Sequence, residues 1–456
     1  MATVDRATLQ ATDRAHLIHP LTAHQTLEEA GPVIVMSGEG AEVTLEDGRR
    51  VIDGSAGLWC VNVGHGREEL ARAAYEQAST LAFSPTFRAF SHPRAIELAA
   101  RLSELAPGGL NHAFFVSGGS EANESAFKFA RLYWRLQGEE DRRVVLSHDR
   151  GYHGLAIATT TATRLANFRS DFEPLAPDFA SIPAPYPYRC AAGTPCDPGS
   201  CDVMSGAALA RMIESVGAEK IAAVIIEPVI GTGGVIVPPD GYLRAVRETC
   251  DRYGVLMIAD EVITGFGRTG HWFGVNHDQV VPDMLTFAKG VTSGYAQLGG
   301  VLVHDRLWEV LRAVPGDRPL MHGFTYSGHP VACAVALANL EVLEREHLIP
   351  KVAEQGRRLL DRLQEFLDLP DVGEVRGRGL MAAIELVADK QTRERFPASA
   401  KRAARVGDAA LERGVIMRPL PDDILLFSPP FVISDKELDH MVDVIADSIV
   451  ATADAT

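Results

Sequence analysis

The sequence predicts an α/β protein with a largely parallel sheet covered by helices on both faces. Two observations carry this. Short apolar or β-branched runs recur through the middle of the chain, at Ala113–Val116, Arg143–Leu146, Ala222–Ile226, Val255–Ala259, Met284–Phe287 and Gly299–Val303. Segments of helical period separate several of them, including Glu121–Leu136 and Gly241–Tyr253. Strands apolar on both sides need cover on both sides, which is the layering of α/β folds.

The remaining elements follow in order. The N-terminal part is polar and rich in turns, with short strands expected at Ala41–Leu45 and Arg50–Ile52 around the Asp47-Gly48 turn. Helical periodicity takes over at Glu68–Leu81 and Pro93–Leu105. Residues 167–205, rich in proline, read as a long irregular connection over the surface or a subunit contact. After Pro330 a helix at Val331–Arg345 leads into helices and short strands, among them Leu380–Leu386 and Ile424–Phe427. The expected organisation is an N-terminal segment, 1–60, forming part of a small domain; a large domain, 61–329; and the C-terminal part of the small domain, 330–456.

The 456 residues carry a net charge of −16, which repels polyanions and argues against nucleic acid or an anionic membrane as partner. No signal peptide is visible, and no apolar run approaches the ~18 residues of a membrane span. Six cysteines in so long a chain fit a reducing cytoplasm. A cytoplasmic enzyme or binding protein is the expected class.

Gly265-Phe266-Gly267-Arg268-Thr269-Gly270 fits G-x-G-x-x-G, but His271-Trp272-Phe273-Gly274 does not open the helix a dinucleotide site requires. An NAD-dependent oxidoreductase, the alternative from a different class, would depend on those glycines. Ser117-Gly118-Gly119-Ser120-Glu121 is a better anion site, because it follows a strand and opens a helix whose free N–H groups suit a phosphate. An N-capped turn with Ser120 as the cap is the plainer reading of the same residues. Asp260 and Lys289 each stand at the carboxyl end of a buried run, where α/β folds bind ligands. A lysine facing a dry cleft can attack a carbonyl, and a carboxylate can pair with a cationic ring nitrogen. Either residue alone reads better as half of an ordinary strand-end ion pair, and Tyr152 alone reads as core packing.

Together these are the parts needed to hold pyridoxal phosphate: an imine-forming lysine, a carboxylate, a phosphate turn and an aromatic plate in Tyr152. The stretch Ile258–Gly270 with Thr286-Phe287-Ala288-Lys289-Gly290 resembles the signature of class III aminotransferases, pyridoxal-phosphate enzymes of fold type I. Ser117–Asn123, Tyr152-His153-Gly154, Ile226-Glu227-Pro228 and Phe324–Pro330 are similar to further family motifs, in order, from about His19 to Ile445. Gly57–Gly66 and Arg418 resemble the branch acting on ω-amino acids or amines with pyruvate.

The resemblance implies a seven-stranded, mostly parallel sheet, a homodimer or dimer of dimers, and a ping-pong reaction between an amine donor and a keto acid. It implies Lys289 as the catalytic lysine, Asp260 at the ring nitrogen, Gly119 and Ser120 at the phosphate, and Thr325 reaching the phosphate from the neighbouring subunit. Tyr152 would stack on the ring with Val262 behind it, and Glu227 would support the Asp260 region. Trp59, Phe87, Tyr152 and Arg418 would contact substrate, Arg418 swinging onto a carboxylate; a plain surface arginine is the other reading of Arg418. Thr232 stands where the ornithine and 4-aminobutyrate branches carry glutamate, which disfavours those substrates. A taurine- or diamine-specific transaminase, or an aminomutase, is the alternative within the class. Pro421 departs from a glycine of the branch and questions the turn that aims Arg418. Cys190, Cys196 and Cys201 lack the paired spacing of a zinc site, so no metal is expected there.

Overall fold

A computed structural model describes residues 6–193, 196, 201–314 and 319–453. Its centre is a seven-stranded sheet ordered, by residue range, 112–116, 299–303, 284–287, 256–260, 221–226, 144–148 and 179–182. Five neighbouring strands, from 284–287 to 179–182, are parallel. Gly299–Val303 runs antiparallel to both of its neighbours, so His112–Val116 points the same way as the other five. Six of the seven carboxyl ends therefore open on one edge of the sheet.

The composition of the strands explains their position. Ile221–Ile226 and Leu256–Asp260 are buried along their whole length, as the unbroken apolar runs predict. Helices seal the sheet on both sides. Gly119–Leu136 buries Ala122, Ala126, Phe129, Ala130 and Trp134, and the Trp134 indole donates to the Ala222 carbonyl at 2.8 Å.

Two four-stranded sheets flank this core. One joins the chain ends, since Val415–Ile416 pairs in parallel with Arg50–Asp53 of the N-terminal meander. The other runs 372–377, 382–386, 424–427 and 418–420 and is antiparallel throughout. Among the described residues no helix is long and apolar enough to cross a membrane.

The residues between 167 and 205 depart from the expectation. They contain a strand, Phe179–Ile182, which pairs with Val144–His148 at the sheet edge. Four residues between proline-rich flanks carry too little periodicity to be read as a strand. The same stretch draws the sulfurs of Cys190, Cys196 and Cys201 to within 4.8 Å of one another, which spacing did not predict.

Candidate active site

The carboxyl ends of the strands surround a cavity of about 390 Å3, within the range of ~300–1,000 Å3 usual for small-molecule sites. Ser117 to Ser120 follow the first strand, Tyr152 to Gly154 follow Val144–His148, and Glu227 follows Ile221–Ile226. Asp260 ends its strand and Lys289 lies two residues beyond Phe287. All of them line the cavity, with Asn123, Val262 and Cys60. Gly119, Ser120, Tyr152, Glu227, Asp260, Val262 and Lys289, singled out in the sequence, are thus brought together.

Asp260 is 4% exposed and receives three hydrogen bonds: from Asn123 Nδ2 and His153 Nδ1 at 2.8 Å each, and from the Val262 N–H at 3.1 Å. His153 Nε2 has no partner among the described residues, which places the ring proton on Nδ1, donating to Asp260. Three donors thus satisfy the carboxylate oxygens in a buried place. Asn123 is itself held by the Thr286 hydroxyl at 2.7 Å. Asn123 and His153 appear in the sequence only as members of longer motifs, with no role assigned to either. The available signal was their position: Asn123 lies four residues into the helix that starts at Gly119, on the face turned to the strand ends.

Lys289 adopts φ +46°, a left-handed conformation that a lysine holds only under tertiary constraint. Burial lowers its pKa, partly opposed by Cys60 and Asp260. The amine is therefore more readily neutral than a surface lysine's.

The phosphate turn is equally defined. Gly118 precedes an 18-residue helix, and a Cβ there would meet nothing within 4 Å, so its Cα side is open space. A Cβ on Gly119 would lie 2.9 Å from the Val262 side chain, which is why this position takes glycine. Ser120 Oγ accepts from the Leu155 N–H at 3.2 Å and keeps its hydroxyl proton for another acceptor. An anionic group, a cationic ring nitrogen and a carbonyl would find a helix start with a hydroxyl, a buried carboxylate and an amine in one cavity. The residues fit pyridoxal phosphate.

Glu227 accepts the Tyr152 and Gly231 N–H groups, both at 2.9 Å, and so fixes the turn that carries Tyr152 and, next to it, His153, the donor to Asp260. Burial lifts the Glu227 carboxyl to about 7.

Trp59 and Arg418 stand beside the cavity. The Trp59 ring lies 4.8 Å from the Arg418 guanidinium and 5.7 Å from Lys289 Nζ. No carboxylate pairs with Arg418 among the described residues. The doubt raised by Pro421 is resolved: the hairpin places positive φ on Asp422 and Asp423, and Arg418 stays in register opposite Leu426. Phe87 and Thr325 do not reach this chain's cavity. Both are exposed, with the Phe87 ring close to Gly323.

The glycines at 265–270 form no nucleotide site. Arg268, fully buried, donates to the carbonyls of Leu380 and Pro429 and to Asn62 Oδ1 at 2.7–3.0 Å, clamping the loop that carries Trp59.

Known proteins agree with this geometry. Residues 25–449 match the family model "Aminotransferase class-III". Putrescine–pyruvate aminotransferase of Pseudomonas aeruginosa is 42% identical, over 95% of this chain and 94% of its own length. An (S)-enantioselective ω-transaminase from Thermomicrobium roseum is 47% identical with a TM-score of 0.96, covering 99% of this chain and 100% of the other. The ω-transaminase of Pseudomonas jessenii, solved in complex with PMP, is 36% identical with a TM-score of 0.94, covering 98% of each chain. The chain belongs to the class III aminotransferases.

Proposed function

We propose that this protein moves an amino group from a primary amine or ω-amino acid to pyruvate, using pyridoxal phosphate in a ping-pong cycle. The observation that carries the reading is an unpaired arginine, Arg418, stacked on the same indole that Lys289 approaches. A site that accepts an uncharged side chain in one half-reaction and a carboxylate in the next needs a cation that can engage or withdraw. The putrescine–pyruvate aminotransferase among its relatives supports the same reading.

When bound, pyridoxal phosphate supplies a carbonyl for the amine and a cationic ring that accepts an electron pair. Lys289 Nζ would hold the cofactor and, once the amine is bound, would carry the proton of the amine-bearing carbon. Asp260 keeps the ring nitrogen protonated, and Asn123 and His153 hold Asp260 in place. The helix start at Gly119 and Ser120 would anchor the phosphate, Tyr152 and Val262 would hold the ring, and Glu227 positions the turn bearing Tyr152.

The working unit is a homodimer in a soluble, cytoplasmic setting. Phe87 and Thr325, with Phe83, Phe90, Met321 and Tyr326, are exposed apolar or turn residues that a second subunit would cover, bringing Thr325 to the partner's phosphate turn. The test is spectroscopic. Purified protein should be yellow, lose the colour with an amine donor and recover it with pyruvate. Failure of pyruvate to restore the colour, with another keto acid succeeding, would replace the acceptor; a colourless protein would remove the proposal.

A further inference from the structure

The proline-rich stretch after Phe179–Ile182 assembles three side chains that the transamination chemistry does not use. Cys190, Cys196 and Cys201 are free thiols whose sulfurs all lie within 4.8 Å of one another, Cys190 and Cys201 being 3.4 Å apart. They rest on a small apolar pad that includes Val203, Met204 and Ala208. Backbone donors face the sulfurs: the Ala192 N–H at 3.4 Å from Cys190 Sγ, and the Met204 and Val203 N–H groups toward Cys201. Around a tetrahedral ion with metal–sulfur bonds of about 2.3 Å, sulfurs lie about 3.8 Å apart, inside the spread seen here.

We infer that Cys190, Cys196 and Cys201 form a three-thiolate site for a thiophilic d10 cation, zinc or copper(I), with solvent completing the coordination. The ligand set is soft and entirely sulfur, which selects these ions over magnesium or calcium. Among the described residues no fourth protein ligand joins the group; the neighbouring carboxylate, Asp202, is held by Arg211. On binding, three sulfur–metal bonds form and the three thiol protons pass to solvent, so no oxidant takes part. An odd number of cysteines also suits a metal better than a disulfide, which would leave one thiol unpaired.

The site has a structural consequence. The same loop carries Tyr186 and Arg189, both hydrogen-bonded to the buried Glu385 on the strand Ala382–Leu386 of the smaller sheet. A metal holding the loop would therefore strengthen its tie to that sheet.

Elemental analysis of the untagged, cofactor-loaded enzyme, prepared under reducing conditions and incubated with Zn²⁺, tests this. About one equivalent of zinc, or of copper already bound, is expected per chain. Cys196→Ser and Cys201→Ser should each lower that figure about tenfold or more. A thiophilic chelator should lower the melting temperature of the unsubstituted protein, Zn²⁺ should restore it, and neither variant should respond. Three results would overturn the site: unsubstituted protein without stoichiometric metal, variants that keep the full equivalent, or alkylation of the denatured protein showing a disulfide among the three cysteines.

Discussion

The inner wall of the pocket and its rim are built on different principles. Most groups of the wall, among them Gly118, Asp260 and Lys289, stand at or just beyond a strand end of one sheet, whose central strands are buried on both faces and cannot shift alone. The rim is assembled from pieces with separate supports. Trp59 sits on a loop pinned by Arg268, Arg418 on a hairpin of another sheet, and Phe87 and Thr325 on an exposed face. Under the proposed function, the contrast teaches where this protein can vary: chemistry would be tied to the rigid frame, and substrate choice to parts that can change without disturbing it.

Predictions that break this comparison begin at the wall. Lys289→Ala should cut transamination by about 10³-fold or more while pyridoxal phosphate still binds, read as lost turnover with retained cofactor absorbance. Normal turnover would remove the lysine's role. Asp260→Asn should cost about 10²–10³-fold in kcat for every donor alike, since it acts on the ring and not on substrate. A loss confined to one donor would move Asp260 to the rim. Arg418→Ala should raise KM for pyruvate by about 10–100-fold and leave an uncharged aldehyde acceptor nearly untouched. Equal losses would leave Arg418 a surface arginine.

Mixed dimers sharpen the same division. If Thr325 serves the partner's phosphate turn, co-expressing Lys289→Ala with Thr325→Ala subunits should yield hybrids with one intact site, and so about half of normal cofactor-dependent activity per hybrid. The absence of any complementation would confine each site to one chain.

The smallest effect lies behind the wall. Glu261 is fully buried, accepts the Gly274 and Val275 N–H groups at 2.8 Å, and is lifted by burial from 4.5 to about 7. Between those values the folded protein keeps a proton that the unfolded chain has released, so stability falls as pH rises through this window, by at most about 1.4 kcal/mol per pH unit. Thermal melts from pH 5 to 7.5 should show the decline, and Glu261→Gln should flatten it; an unchanged slope would assign it to other groups.

Much of the frame was legible. Ile424–Phe427, Pro93–Leu105 and Gly299–Val303 were read with their observed limits, and the other segments that were placed fall within a residue or two of theirs, because apolar runs and helical periods are local signals. The reversed direction of Gly299–Val303 was not legible, since a buried strand has the same composition either way up. Phe179–Ile182 escaped because four residues between prolines look like a loop. Within the site, Asp260 and Lys289 stand out as polar residues ending apolar runs. Asn123 was missed because a polar residue in the first turn of a helix is unremarkable until its neighbour across the sheet is known. The partners of Glu227 were not legible, because which N–H a buried carboxylate accepts depends on a turn 75 residues away.

The sequence by itself determined the layered α/β frame, the edge on which the chemistry sits, and the family, because these depend on local pattern and on short motifs. Only the tertiary structure decided which groups converge: Trp59 against Arg418, Arg268 under the loop of Asn62, three separated cysteines within 4.8 Å, and Thr325 turned away from its own pocket. Pattern along a chain specifies what each residue is suited to bury or expose. Convergence is set by how the layers pack, and no single segment holds that information.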